Sequence, residues 1–280
     1  MTTGTATPAA PAAAAMPTRR PRFDRVMVSE WTKIRSVRST VWSLILLVVI
    51  SFGFTALFVG LTVAQWDQTQ PQDRAQIMAD PTSMILGSGF FFSQLTVCVL
   101  GVMVIASEYS TGMIRASLLA VPRRLPMFAA KGVVFGLLVL VVGVVVSFGS
   151  FFIGAPILHD KAPVSLGDPG VFRAVVGGGL YLAMLGLFAL AIGGIVRHTA
   201  AGITGVIGFV LVLSPLAQLL PGSFGDHVHA YLPSEAGHLI AQARQGPNDL
   251  LTPWQGYGVF TLWTALLLLV AAVLLKRRDA

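Results

Sequence analysis

Residues 132–158 read GVVFGLLVLVVGVVVSFGSFFIGAPIL, 27 residues without a single Lys, Arg, Asp or Glu. A helix needs roughly 20 consecutive apolar residues to cross a bilayer, so this run is long enough to span one. Five more runs of the same kind flank it, at 41–64, 84–106, 174–196, 199–220 and 256–275, and none carries a charged residue. Backbone groups in lipid must bond within their own segment, so each run is expected to be a helix. Alternating strand patterns are absent. The chain therefore reads as an all-α polytopic membrane protein of six transmembrane helices.

Composition agrees. Of 280 residues 55% are hydrophobic and 11% charged, with a mean hydropathy of +0.77; a soluble domain carries about 25% charged residues. The pI near 10.2 has a topological cause. Fifteen Lys and Arg fall before the first run, in the 107–131 loop, at Arg197 and after the last run, against four (Arg74, Lys161, Arg173, Arg244) on the other side; eight of the twelve acids fall on that other side. Basic residues stay cytoplasmic, which places both termini, including the 276–280 tail, inside. Nucleic-acid binding would need a folded basic domain, and no stretch here can form one.

Residues 1–22 open with a run of Ala, Pro, Thr and Gly that cannot pack a core and are expected to be a disordered tail. The Arg19-Arg20 pair is too far from the first span, and that span too long, for a cleaved signal. Residues 23–40 set Phe23, Met27, Trp31, Ile34 and Val37 along one helical side, opposite Arg25, Ser29, Thr32, Lys33 and Ser36. That is the pattern of an amphipathic helix lying in the headgroup layer and attracted to anionic lipid. Glu30 falls among the apolar positions and needs a partner. On the far side, 221–255 is the longest loop; its half-apolar segment 234–243 is too short to span and reads either as a re-entrant piece or as a cap on the bundle. Glycines recur at close-packing spacing in the third and fourth spans (Gly132, Gly136, Gly143; Gly177, Gly178, Gly179, Gly186, Gly193, Gly194), as membrane helices need for close approach.

Chemistry of several kinds is missing. There is no phosphate-cradling G-x-x-x-x-G-K-[ST] loop and no H-E-x-x-H zinc pair, so no cofactor is expected on this chain and no catalytic or metal-ligating residue is assigned. No span holds a histidine or any ionisable carrier group of the kind that ion-coupled transporters use. Among the polar residues inside the spans, Gln94 and Gln218 are the best candidates for lining a path. His227, His229 and His238 share the far-side loop with Asp226 and Glu235, a pattern that solvated loop histidines explain better than a metal.

The loop between the second and third spans is richer than a connector requires: Ser107-Glu108-Tyr109-Ser110-Thr111-Gly112-Met113-Ile114-Arg115, then Val121-Pro122-Arg123-Arg124 and Lys131. Glu108 stands at the inner end of the second span, where a cation on a partner protein or on the 23–40 helix can pair with it. Arg115 and Arg35 are the alternatives within the chain. Gly112 permits a sharp turn, and Met113 and Ile114 offer an apolar plug.

This loop, the segment Ser29-Glu30-Trp31-Thr32-Lys33-Ile34-Arg35-Ser36 and the six-span layout resemble ABC-2-type permeases, the membrane subunits of bacterial ATP-driven transporters. The resemblance implies that Glu108, Tyr109, Ser110, Thr111, Gly112, Met113, Ile114 and Arg115 form a coupling loop docked on a separate ATP-binding-cassette ATPase subunit, which carries the ATP. It further implies a second permease chain, the bacterial cytoplasmic membrane, and export of a hydrophobic or amphipathic substrate. Glu30, Trp31, Lys33 and Arg35 would belong to the interfacial helix. Two other classes share part of this sequence: a membrane anchor that recruits a soluble partner, and an intramembrane enzyme. The anchor needs no lined path, and the enzyme needs acidic or histidine clusters that the spans lack.

Overall fold

The computed structural model describes residues 23–113, 124–246 and 249–277. The expected tail at 1–22, residues Ile114 and Arg115, the run 121–123 and the last three residues lie outside the described residues. Helices account for the architecture, and no strand occurs among the described residues. They are α1 (Phe23–Ser36), α2 (Arg38–Ala64), α3 (Pro71–Ala79), α4 (Pro81–Ser110), α5 (Arg124–Leu158), α6 (Val171–Val196), α7 (Thr199–Gln218), α8 (Gly222–Ala230), α9 (Pro233–His238) and α10 (Pro253–Arg277). Six of them, α2, α4, α5, α6, α7 and α10, are long and apolar enough to cross a membrane.

Most of these helices overrun the apolar runs because polar flanks still cap and pair. Asp80 precedes α4 and accepts hydrogen bonds from the Ser83 amide at 3.0 Å and hydroxyl at 2.7 Å, with Pro81 next to it. A side-chain acceptor before a helix satisfies one of its free amides, and Pro suits the first turn. The reverse holds for α1: it stops at Ser36, short of residue 40, because Val37 adopts an extended backbone and α2 starts afresh at Arg38. In α7 the turn Gly208–Val212 is wound as a π-helix just before Pro215. Proline offers no amide to the preceding turn and its ring crowds the carbonyl there, so a widened turn relieves the clash.

Helix α6 is the axis of the bundle. The share of buried residues in its most apolar window is 61%, against 22% for α2 and for α10, and α6 packs on α4, α5 and α10. Its glycines make this possible. A Cβ on Gly143 of α5 would sit 3.1 Å from the Gly179 Cα, and one on Gly101 of α4 would sit 2.6 Å from the Ala189 Cβ. The small residues therefore serve helix contacts inside one chain. Buried hydroxyls add links between the first three spans, Ser51 to Ser93 at 2.6 Å and Thr55 to Ser150 at 3.2 Å. Such bonds contribute on average about 0.6 kcal/mol each.

At the face opposite the chain's basic residues, α9 and the turn Leu239–Ala241 pack against α6 and α10. Asp80 accepts from the amides of Ala243 and Arg244, both at 3.1 Å, and Arg173 donates to the Ala243 carbonyl at 3.1 Å. Trp263 of α10 donates to the Tyr231 carbonyl at 3.2 Å. The half-apolar segment is thus a cap seated in the bundle. Any Cβ at Gly177 would run into the Ile240 carbonyl. Gly177→Ala is expected to cost about 1–3 kcal/mol, as overpacking does, read as a lower thermal midpoint in detergent. Gly60→Ala, where the space is open, is the control; equal midpoints for the two would contradict the seating.

Candidate functional site

Helix α1 buries Val26, Glu30 and Ile34 against the bundle and leaves Phe23, Val28 and Trp31 on its outside. The apolar stripe read from the sequence is therefore divided, with Ile34 going to the protein core and Phe23 and Trp31 facing outward, while Arg35 is also exposed. Hydrophobic periodicity alone does not say which apolar positions meet protein and which meet lipid. Glu30 sits on the buried side because its charge is matched there.

The match is a four-residue ionic cluster joining α1, the end of α4 and the start of α5. Lys131 Nζ donates to Glu30 Oε2 at 2.6 Å and to Glu108 Oε1 at 2.8 Å. Lys33 Nζ donates to Glu30 Oε1 at 2.7 Å and to Glu108 Oε1 at 3.2 Å. Glu30, Glu108 and Lys131 are 1%, 3% and 2% exposed. Buried charges are tolerated only when paired and hydrogen-bonded, and among the described residues two acids here meet two amines. Burial pushes the Lys33 amine down, but its hydrogen bond to Glu30 and the charge of Glu108 outweigh it, and the net position is above the ordinary 10.5. Lys33 therefore stays charged throughout the physiological range. Glu108 finds its cations in Lys33 and Lys131; Arg115, an alternative from the sequence, lies outside the described residues.

Tyr109, the next residue, reaches the other way. Its ring lies under the Arg197 guanidinium, 4.9 Å from centroid to carbon, and Arg197 Nη2 donates to the Leu274 carbonyl of α10 at 3.2 Å. Arg197 ends α6 in the left-handed region at φ +57°, a conformation uncommon for residues other than glycine. Two consecutive residues at the end of α4 thus hold α1 and α5 on one side and α6 and α10 on the other. Beyond them the hydroxyls of Ser110 and Thr111 fold back onto the Ser107 carbonyl, at 3.0 and 2.8 Å. Gly112 turns the chain at φ +72° and Met113 stands 49% exposed.

Lys131 and Arg197 are the members of this junction whose roles the sequence does not announce. The available signal was Glu30, an acid spaced with Val26 and Ile34 on one helical face, which requires a buried cation from elsewhere. At the opposite face, Gln94 of α4 and Gln218 of α7 line one cavity of about 370 Å³ between α4, α6, α7 and the cap. Gln218 Nε2 lies 3.0 Å from His229 Nε2, and Ser214 donates to Glu235. His238 packs edge-on to Phe90 and Tyr181 instead of joining His229.

The sequence profile of a family described as ABC-2 family transporter protein matches residues 26–214. The matched stretch covers the ionic cluster, both ends of the 107–131 loop and the spans through most of α7. No curated protein matches the chain.

Proposed function

We propose a function from a plain premise: this chain belongs to the ABC-2 family of transporter proteins. It is a multi-pass membrane protein and a transport component. Our reading is that it is the permease subunit of a bacterial ATP-driven exporter, working as two permease chains with two separate ATP-binding-cassette subunits. The basic face then lies in the cytoplasm and the 107–131 loop docks on the ATPase. The cargo is hydrophobic or amphipathic.

One observation carries this reading. Both ends of the loop, at Glu108 and Lys131, are tied to the same helix α1 through Glu30 and Lys33, while Tyr109 ties the loop's first turn to α6 and α10. A loop so footed cannot shift without displacing the helices it holds. Force applied at Gly112 and Met113 by a closing ATPase would therefore reach α1 and four spans together. A membrane anchor would share a docking loop, but it would need neither this rigid base nor a polar-lined cavity between spans.

The decisive experiment is co-purification of the chain with an ATP-binding-cassette subunit and measurement of hydrolysis in nanodiscs. The expected result is co-elution and hydrolysis that rises when the permease is present. An ATPase that neither co-elutes nor responds would overturn the reading. Topology gives a second prediction: in a Cys98→Ser background, single cysteines in 107–113 label only from the cytoplasm, and those in 65–70 and 222–230 only from outside. Labelling of the loop from outside would contradict the assignment.

A further inference from the structure

We propose that the cavity between α4, α6, α7 and the cap binds a small hydrophobic cation, an ammonium carried on an aromatic or branched aliphatic body. Its volume, about 370 Å³, lies within the range of roughly 300–1,000 Å³ of small-molecule sites. The rings of Phe90 and Tyr181, 6.1 Å apart, form the inner wall. Buried rings of this kind supply an apolar wall for the hydrocarbon body of a ligand.

The polar groups select the charge. Among the described residues that line the cavity there is one carboxylate, Glu235, and no Lys or Arg. His238 adds no positive charge: burial holds it below its ordinary 6.5, against the pull of Glu235 and Asp80, so it is a neutral imidazole at pH 7. Glu235 receives a hydrogen bond from Ser214, and His229 stands 3.6 Å from its other oxygen.

A second, independent feature points to a polar ligand. Ser234 borders the cavity at 5% exposure; its hydroxyl is sealed from the open space and has no hydrogen-bond partner among the described residues. A buried hydroxyl without a partner is costly, and a lipid tail occupying the space would leave it so. An ammonium, with several N–H donors, can serve the carboxylate, and the hydroxyl as well once the Ser234 side chain turns toward it. An anionic or phosphate-bearing molecule meets Glu235 unfavourably.

As a statement about transported cargo this inference rests on the permease reading; as a statement about binding it does not. The test uses the full chain in nanodiscs without any ATPase. Two radiolabelled probes share one skeleton and differ in charge, 4-phenylbutylammonium and 4-phenylbutanoate, and protein-free discs measure partition into lipid. The expected result is saturable binding of the ammonium at one site per chain and none of the carboxylate. Glu235→Gln should weaken ammonium binding at least about tenfold, the scale of a charged hydrogen bond. Ser234→Ala removes the unpartnered hydroxyl, so the ligand-free chain should unfold no earlier than wild type, while binding weakens about fivefold; it carries the test if Glu235→Gln is unstable. Equal binding of the two probes, binding no greater than to empty discs, or unchanged affinity in these folded variants would overturn the proposal. Ammonium binding in a chain that recruits no ATPase would uphold the site and sink the permease reading; ATPase recruitment without ammonium binding would do the reverse.

Discussion

Lys131→Met is expected to destabilise the chain by about 3–5 kcal/mol, the scale on which breaking a buried ion pair acts. The lost amine donates to Glu30 at 2.6 Å and to Glu108 at 2.8 Å. Without it, two carboxylates with 1% and 3% exposure share, among the described residues, only Lys33. Methionine fills the volume of the side-chain stem, so the cost is electrostatic and not a cavity. The double variant Glu108→Gln with Lys131→Met restores neutrality, because Glu30 and Lys33 remain as a pair, and should regain most of the loss. Thermal unfolding in detergent reads both. A Lys131→Met midpoint within a degree of wild type, or a double variant no better than the single one, would show that the cluster does not hold the junction. The double variant then separates fold from function: it retains the helices but loosens both feet of the loop, so transport should fall with ATPase binding intact.

The layout of six helices was legible because the bilayer imposes it locally. A run such as 132–158 declares its environment without reference to any other part of the chain. Glu30 is legible as a misfit for the same reason, since it falls among the apolar positions Met27, Trp31 and Ile34. Its partner is not, because the Lys131 contact joins residues 101 positions apart in the sequence and depends on how α1 lies across α4 and α5. Glu108 stands out at the inner end of its span, but its cations come from Lys33 at 75 positions and Lys131 at 23, with burial deciding among the basic residues nearby. The left-handed turn at Arg197 answers to tertiary packing, and its residue type does not signal that conformation in advance. Gln94 and Gln218 stood out as amides in otherwise apolar runs. That they border one cavity with Ser234 and Glu235 follows from the seating of the cap, which the half-apolar segment 234–243 left open between two geometries.

Met113→Asp combined with Ile114→Asp is expected to abolish ATPase docking while leaving the permease folded. The fold should be spared because Met113 is 49% exposed and lies past the last residues that grip the bundle, Glu108 and Tyr109. On our reading the loop tip enters an apolar cleft of the ATPase, and an unpaired carboxylate buried there costs several kcal/mol. Each 1.4 kcal/mol is about a factor of ten in affinity, so binding should weaken at least about a hundredfold. Glu108→Gln makes the informative contrast: its side chain is 4% exposed and its partners are within the chain, so it should change stability more than docking. Gly112→Pro separates geometry from polarity, since proline cannot adopt the φ of +72° found there, and should impair docking without adding charge. Pull-down of the ATPase with each variant, beside transport in vesicles and thermal midpoints, measures all three. A double aspartate variant that binds the ATPase and transports like wild type would reduce the loop to a connector, whatever the cluster beneath it contributes to stability.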